Sequence, residues 1–92
     1  MHKLTYTRAA LSDLDAIGDF IAADSPTRAL AYVEEIRSHC RRLCQHPHLG
    51  PAREGLGQGI RVLPFKRRVL IAYRVLPDAI RIVRVYYAGQ EQ

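Results

Sequence analysis

The chain opens on a short alternation, Lys3-Leu4-Thr5-Tyr6-Thr7, with Leu4 and Tyr6 on one face, and this period of two predicts a strand over residues 3–7. The period then changes. Ala10, Leu14, Ile17 and Ile21 recur at helical spacing, flanked by Leu11 and Phe20, with Thr7 placed to cap the first turn. Asp13, Asp15 and Asp19 fall largely on the opposite side and read as solubilising charge. Asp24-Ser25-Pro26 marks a boundary, because Ser25 suits an N-cap and Pro26 suits the first helical position, where a missing N–H costs nothing. The second helix is expected to bury Ala29, Tyr32, Val33, Ile36, Cys40 and Leu43 and to stop at His46-Pro47. Its acids, Glu34 and Glu35, precede its bases, Arg37, Arg41 and Arg42, which suits the helix macrodipole. So short a join between two helices predicts an antiparallel hairpin.

Residues 47–59 hold Pro47, Gly50, Pro51, Gly55, Gly57 and Gly59 and read as a loop. Three strands follow at about 60–64, 69–76 and 79–87, with Lys66-Arg67-Arg68 at one hairpin tip and Leu76-Pro77-Asp78-Ala79 in the next turn. The order is β-α-α-β-β-β: an α+β fold in which an antiparallel sheet packs on an antiparallel helical hairpin, as a single domain over residues 1–92. A sheet covered on one side should be polar on the other. Yet Val69-Leu70-Ile71-Ala72-Tyr73 is continuously apolar, and Ile80-Arg81-Ile82-Val83-Arg84-Val85 has apolar residues on both faces. Two readings stay open: a half-apolar, Arg-bearing second face that a partner covers, or a β-bulge near Ile82-Val83 that restores one-sided burial.

Charge sharpens the first reading. The net charge is +5, and residues 1–46 are balanced at six bases against six acids, so the whole excess lies in the second half. Twelve of the fourteen bases are Arg, the side chain suited to planar and bidentate contacts with anions. Arg61, Lys66, Arg67, Arg68, Arg74, Arg81 and Arg84, with Tyr86 and Tyr87 among them, form the candidate target-binding surface. No catalytic residue is assigned, since Ser12 and Ser38 sit mid-helix and no phosphate loop or dinucleotide fingerprint occurs. Cys40, Cys44, His46 and His48 could be set out as a zinc site, but both cysteines fall on the apolar stripe of a helix, so core packing is expected with no metal and no cofactor. The opening residues carry no apolar run and nothing approaches the ~20 residues of a membrane span. A cytoplasmic protein with reduced thiols and no membrane partner is the expectation.

Ala9-Ala10-x-x-Asp13-Leu14-x-x-Ile17-x-x-Phe20-Ile21, then Ser25-Pro26-x-x-Ala29, resembles the first half of toxins of the RelE/ParE superfamily, closest to the ParE branch. Ile36, Cys40, Leu43, Pro47, Gly50, Gly59-Ile60-Arg61 and Ile71-Ala72-Tyr73-Arg74-Val75 continue the resemblance to about residue 87. It implies the same element order and the toxin role in a bacterial type II toxin–antitoxin system, of the kind that stabilises plasmids. It implies a cognate ParD-like antitoxin as partner, with operator DNA reached only through that antitoxin. Leu11, Phe20, Leu63, Leu70, Tyr73, Val83 and Val85 are the expected antitoxin-binding residues. RelE-like members cut mRNA on the ribosome, whereas ParE-like members poison DNA gyrase. On the RelE-like pattern one expected Arg falls on Leu70 and another on Gln90, and Gln92 comes too early for the C-terminal Tyr, while Arg61 keeps a basic residue. Gyrase inhibition without enzymatic activity is therefore the expected function. The alternatives are a RelE-like mRNA interferase and a non-toxic antitoxin-binding corepressor. The ParE-like ending His-Gly-x-Arg aligns with Tyr87-Ala88-Gly89-Gln90, where the last Arg is absent.

Overall fold

A computed structural model describes residues 2–88. Strand β1 (Lys3–Tyr6) leads directly into α1 (Arg8–Ala22), and α2 (Pro26–Arg42) follows. Both helix starts form where local chemistry places them. Thr7 Oγ1 accepts the Ala10 N–H at 3.0 Å, and Ser25 Oγ accepts the Arg28 N–H at 3.2 Å with Pro26 at the first helical position. After a loop that contains a single 3₁₀ turn (Glu54–Leu56), β2 (Arg61–Phe65), β3 (Val69–Val75) and β4 (Ala79–Tyr87) form a meander.

The sheet runs β1-β4-β3-β2. The meander is antiparallel, but β1 pairs with β4 in parallel, Lys3 opposite Ala79 through Tyr6 opposite Ile82. This corrects the expectation of a wholly antiparallel sheet, and the cause lies in the helices. α1 continues in the sense of β1 along β4, placing Asp13 beside Val85 and Phe20 beside Tyr87. α2 returns the chain, so that Cys44 C=O accepts the His2 N–H at 3.2 Å. β2 therefore starts at the same end as β1, and two reversals later β4 runs with it.

One core lies between the hairpin and the sheet, built from Leu14, Ile17 and Ile36 against Ile71, Tyr73, Ile80 and Ile82. At roughly 25 cal/mol per Å² of apolar surface removed from water, this layer is the main source of stability. Tyr32 and Val33, expected to be buried, are half-buried at its margin. A smaller cluster sits on the opposite face: Ile60, Val62 and Ala72 are buried, with Leu70 and Val83 packed against them. The bulge is real. Ala72 pairs with Arg84 but Tyr73 with Ile82, so Val83 is the extra residue. It keeps Ile80, Ile82 and Val85 all on the helix side, and it leaves Val83 to the other.

Candidate functional site

The β2–β3 turn gathers the strongest local peculiarities. Lys66 and Arg67 have φ of 53° and 68°, left-handed conformations that side chains with a Cβ rarely take. Such residues persist only where neighbours hold them, at about 1–3 kcal/mol each. Here Lys66 Nζ reaches Glu35 Oε1 of α2 at 2.6 Å and lies over the Tyr32 and Phe65 rings at 5.8 and 5.5 Å. Arg68 C=O accepts the Ala88 N–H at 2.8 Å. The tip is clamped to the helical layer on one side and to the end of β4 on the other. Clamping leaves the guanidinium groups of Arg67 and Arg68 at the surface, with no ion pair among the described residues.

Two clefts flank this tip and share Arg68 and Tyr87. On the helix side, a cleft of about 610 Å³ is lined by Phe20, Arg28, Tyr32 and Glu35 as well as Lys66. Along its wall runs a row of rings, Phe20 to Tyr87 at 6.0 Å and Tyr87 to Tyr32 at 5.9 Å, which continues beyond the cleft from Tyr32 to Phe65 at 6.1 Å. His39 ends the row against Phe65 at 4.9 Å, where burial and then the nearby Arg42 charge lower its pKa and favour the neutral ring. On the far side, a cleft of about 440 Å³ is lined by Arg67, Leu70, Arg84 and Tyr86.

Asp13 is not the idle solubilising charge expected. β1 ends at Tyr6, so the upper part of β4 has a free edge, and α1 covers it. Asp13 Oδ2 accepts the Val85 N–H at 2.8 Å, while its two oxygens take Nε and a terminal nitrogen of Arg84 at 2.8 and 2.9 Å. Burial by itself would raise the Asp13 pKa, but hydrogen bonds from Arg84 and Val85 outweigh it and hold the carboxyl below its ordinary value. Only the spacing of Asp13 before the apolar stripe was visible in sequence; the edge it closes was not.

Several expected surface residues prove to be internal. Tyr73 is fully buried, accepting the Gly50 N–H at 2.9 Å and donating to Pro47 C=O at 2.8 Å, and burial raises its pKa. Leu63 and Val85 also belong to the main core. Arg61 faces the helix side opposite Tyr73 and donates to Gly50 C=O at 2.7 Å. Tyr73 and Arg61 hold the 47–50 segment to the sheet, and Tyr73, Leu63 and Val85 are buried away from any partner while Arg61 is half-buried. Gly50 itself is required there, since a Cβ would lie 2.2 Å from Val62 C=O. Leu70 and Val83 are half-buried on the second face, and Leu11 and Phe20 are exposed on α1. Leu30 of α2, 77% exposed, is a large apolar residue the sequence reading passed over. It lines a shallow groove between the helices with Gly18, Ala22 and Val33, and its place off the core stripe was the available signal.

Cys40 is fully buried beneath Tyr6, and its thiol is pushed up to about 11 by burial, which holds it protonated and unreactive. His46 and His48 are exposed beyond the helix end. Gly89 and Gln90, where the ParE-like ending was aligned, lie outside the described residues. No helix among the described residues is long and apolar enough to cross a membrane.

A four-stranded mixed sheet with a helical hairpin on one face, in β-α-α-β-β-β order, is the fold of RelE/ParE-like toxins. The family model described as ParE toxin of type II toxin–antitoxin system, parDE, matches residues 4–91, and the chain belongs to that family. The chain is similar to a chain of the chromosomal ParDE toxin–antitoxin system of P. aeruginosa, at 32% identity and a TM-score of 0.80, covering 95% of this chain and 96% of that one. It is similar in fold to the conserved hypothetical protein HP0894 from Helicobacter pylori, at 18% identity and a TM-score of 0.63 with 97% of both chains covered. A chain of the E. coli DinJ–YafQ complex, at 13% identity and a TM-score of 0.56 over 100% of both chains, shares the fold as well. No curated protein matches the sequence.

Proposed function

We propose that this ParE-family toxin acts on DNA gyrase by binding rather than by catalysis, and that a paired ParD-like antitoxin neutralises it. The observation that carries the reading is the position of Arg61. It is the one basic residue that matches the RNase pattern of the superfamily, and its guanidinium is committed to the Gly50 carbonyl on the helix side of the sheet. Leu70, where that pattern has an Arg, packs on the second-face cluster instead. A general acid or base has to reach the proton it moves, and neither position supplies one. What the surface does supply is fixed charge around the clamped tip, suited to docking on a macromolecule.

The antitoxin is assigned to the helical layer. Leu11, Phe20 and Leu30 are exposed there, and the groove beside Leu30 is apolar at its floor. The solved P. aeruginosa relative is part of a ParDE system, which supports a partner of the same kind.

Purified toxin should inhibit gyrase supercoiling at micromolar concentration, and its antitoxin should restore activity. A clean null in that assay removes the gyrase reading. Codon-linked cuts in primer extension after induction would point to the mRNA interferase instead.

A further inference from the structure

Arg74 and Arg81 stand directly opposite one another on adjacent strands. Their strand neighbours Tyr73, Ile80 and Ile82 belong to the helix-side core, so both arginines project from the open face. Like charges so placed repel, and on an exposed sheet surface a neutral pair would be more stable. Neither makes an ion pair among the described residues; Arg74 only donates to Gln58 C=O at 3.2 Å.

Elsewhere on that face Lys3 lies on the edge strand and no strand contributes a single carboxylate; Arg84 also stands there, opposite Ala72, but its charge is matched by Asp13 of α1. Six of the acids lie on the helical layer or its connection, Asp13 through Glu35. The apolar part of the face is already taken, with Ile60, Val62 and Ala72 each 2% exposed. An amphipathic helix would find little to bury there. What remains exposed is charge, Arg81 at one end of the face and Arg67 at the other, with the Asp13-paired Arg84 and the Tyr86 ring between them.

We infer that the open face of the sheet is a seat for the phosphate backbone of duplex DNA, centred on Arg74 and Arg81. A row of cations with little apolar floor fits a polyanion whose charges repeat along its length. The choice of DNA among polyanions rests on the gyrase reading, since gyrase holds a duplex while it acts. The toxin then touches the DNA as well as the enzyme.

Fluorescence anisotropy of a labelled duplex with the full-length toxin, titrated over salt, tests this. Three to four neutralised phosphates give a log–log salt slope of about −3. Arg81→Thr should flatten the slope by about 1, while Arg81→Lys keeps it. Thr favours strands and removes the repulsion, so Arg81→Thr should melt at or above the parent temperature. The inference is overturned by an absence of salt-dependent binding or by an unchanged slope in Arg81→Thr. A lower melting temperature in that variant would make the arginine structural and also overturn it. So would tighter binding of single-stranded RNA or of poly-glutamate than of the duplex. Duplex binding that follows this pattern without gyrase inhibition supports the surface while sinking the gyrase reading. Gyrase inhibition by a toxin that binds no duplex supports that reading and sinks the surface.

Discussion

Replacing Tyr73 by Phe removes one oxygen, keeps the ring that fills the core, and strands two backbone groups. The Gly50 N–H loses its acceptor and the Pro47 C=O loses its donor. Gly50 is buried, so no water replaces the lost acceptor, and an orphaned donor of this kind costs about 1–3 kcal/mol. Pro47 is half-exposed, and its carbonyl adds no more than about 0.5 kcal/mol. The loop cannot simply swing out to find solvent, because Arg61 still holds the Gly50 carbonyl at 2.7 Å. The expected loss is therefore about 2 kcal/mol, or about 8–16 °C in Tm for a domain of this size. Urea denaturation followed by circular dichroism measures it, with an unchanged slope against denaturant as the sign that only the native state was affected. Arg61 holds the same four-residue segment, so the double variant Tyr73→Phe/Arg61→Ala should lose less than the sum of the singles. A Tyr73→Phe protein within about 0.5 kcal/mol of the parent would refute the assignment of this oxygen as the tether of the 47–50 segment.

Gly50→Ala should be at least as damaging, about 2 kcal/mol or more, because the added carbon meets backbone at Val62 and backbone cannot rotate away; recovery of folded protein at parental Tm would contradict the close approach. Asp13→Asn should lower stability by about 1 kcal/mol at neutral pH. A lowered folded pKa gives stability that is present above the unfolded value of about 4 and is lost as pH falls through the folded value. The gap between parent and Asp13→Asn should hence close in acid, and a gap constant with pH would show that the charge is irrelevant. Tyr6→Phe should be neutral or slightly stabilising, since the buried hydroxyl makes no well-formed hydrogen bond and has only weak contacts with the Cys40 thiol and the Arg37 side chain; a loss above about 1 kcal/mol in thermal melts would contradict this. Leu30→Glu should leave stability within about 0.5 kcal/mol and weaken antitoxin binding at least about tenfold by calorimetry, and unchanged affinity would move the antitoxin off this groove.

Features set by a few neighbouring residues were legible in the sequence. Thr7 and Ser25 cap the helices they precede, and the turn at Leu76–Ala79 falls where Pro77 put it, because each depends only on local geometry. The parallel pairing of β1 was not legible, since it follows from the direction of α1 along β4, which no local pattern encodes. The left-handed tip was hidden as well. Lys66 and Arg67 stand where Asn-Gly would announce such a turn, and their conformation is held from outside by Glu35 and Ala88.

The candidate site was half legible for a related reason. Composition located the basic excess, but a residue's type does not say which side of a sheet it faces, and a single inserted residue decides that for everything beyond it. Without the bulge at Val83, strict alternation from Ile80 would turn Arg84 toward the helices and Val85 outward. With it, Val85 enters the core, and Arg84 stands beside Ala72 at the sheet edge, where Asp13 can take its guanidinium. Val83 faces the second side in either register, and there it packs against the cluster built on Ile60, Val62 and Ala72, while the offset withdraws Val85 from that face. What the open face keeps is the unpaired Arg74 and Arg81 standing opposite one another, and their repulsion is a stronger pointer to an anionic occupant than exposed apolar surface would have been.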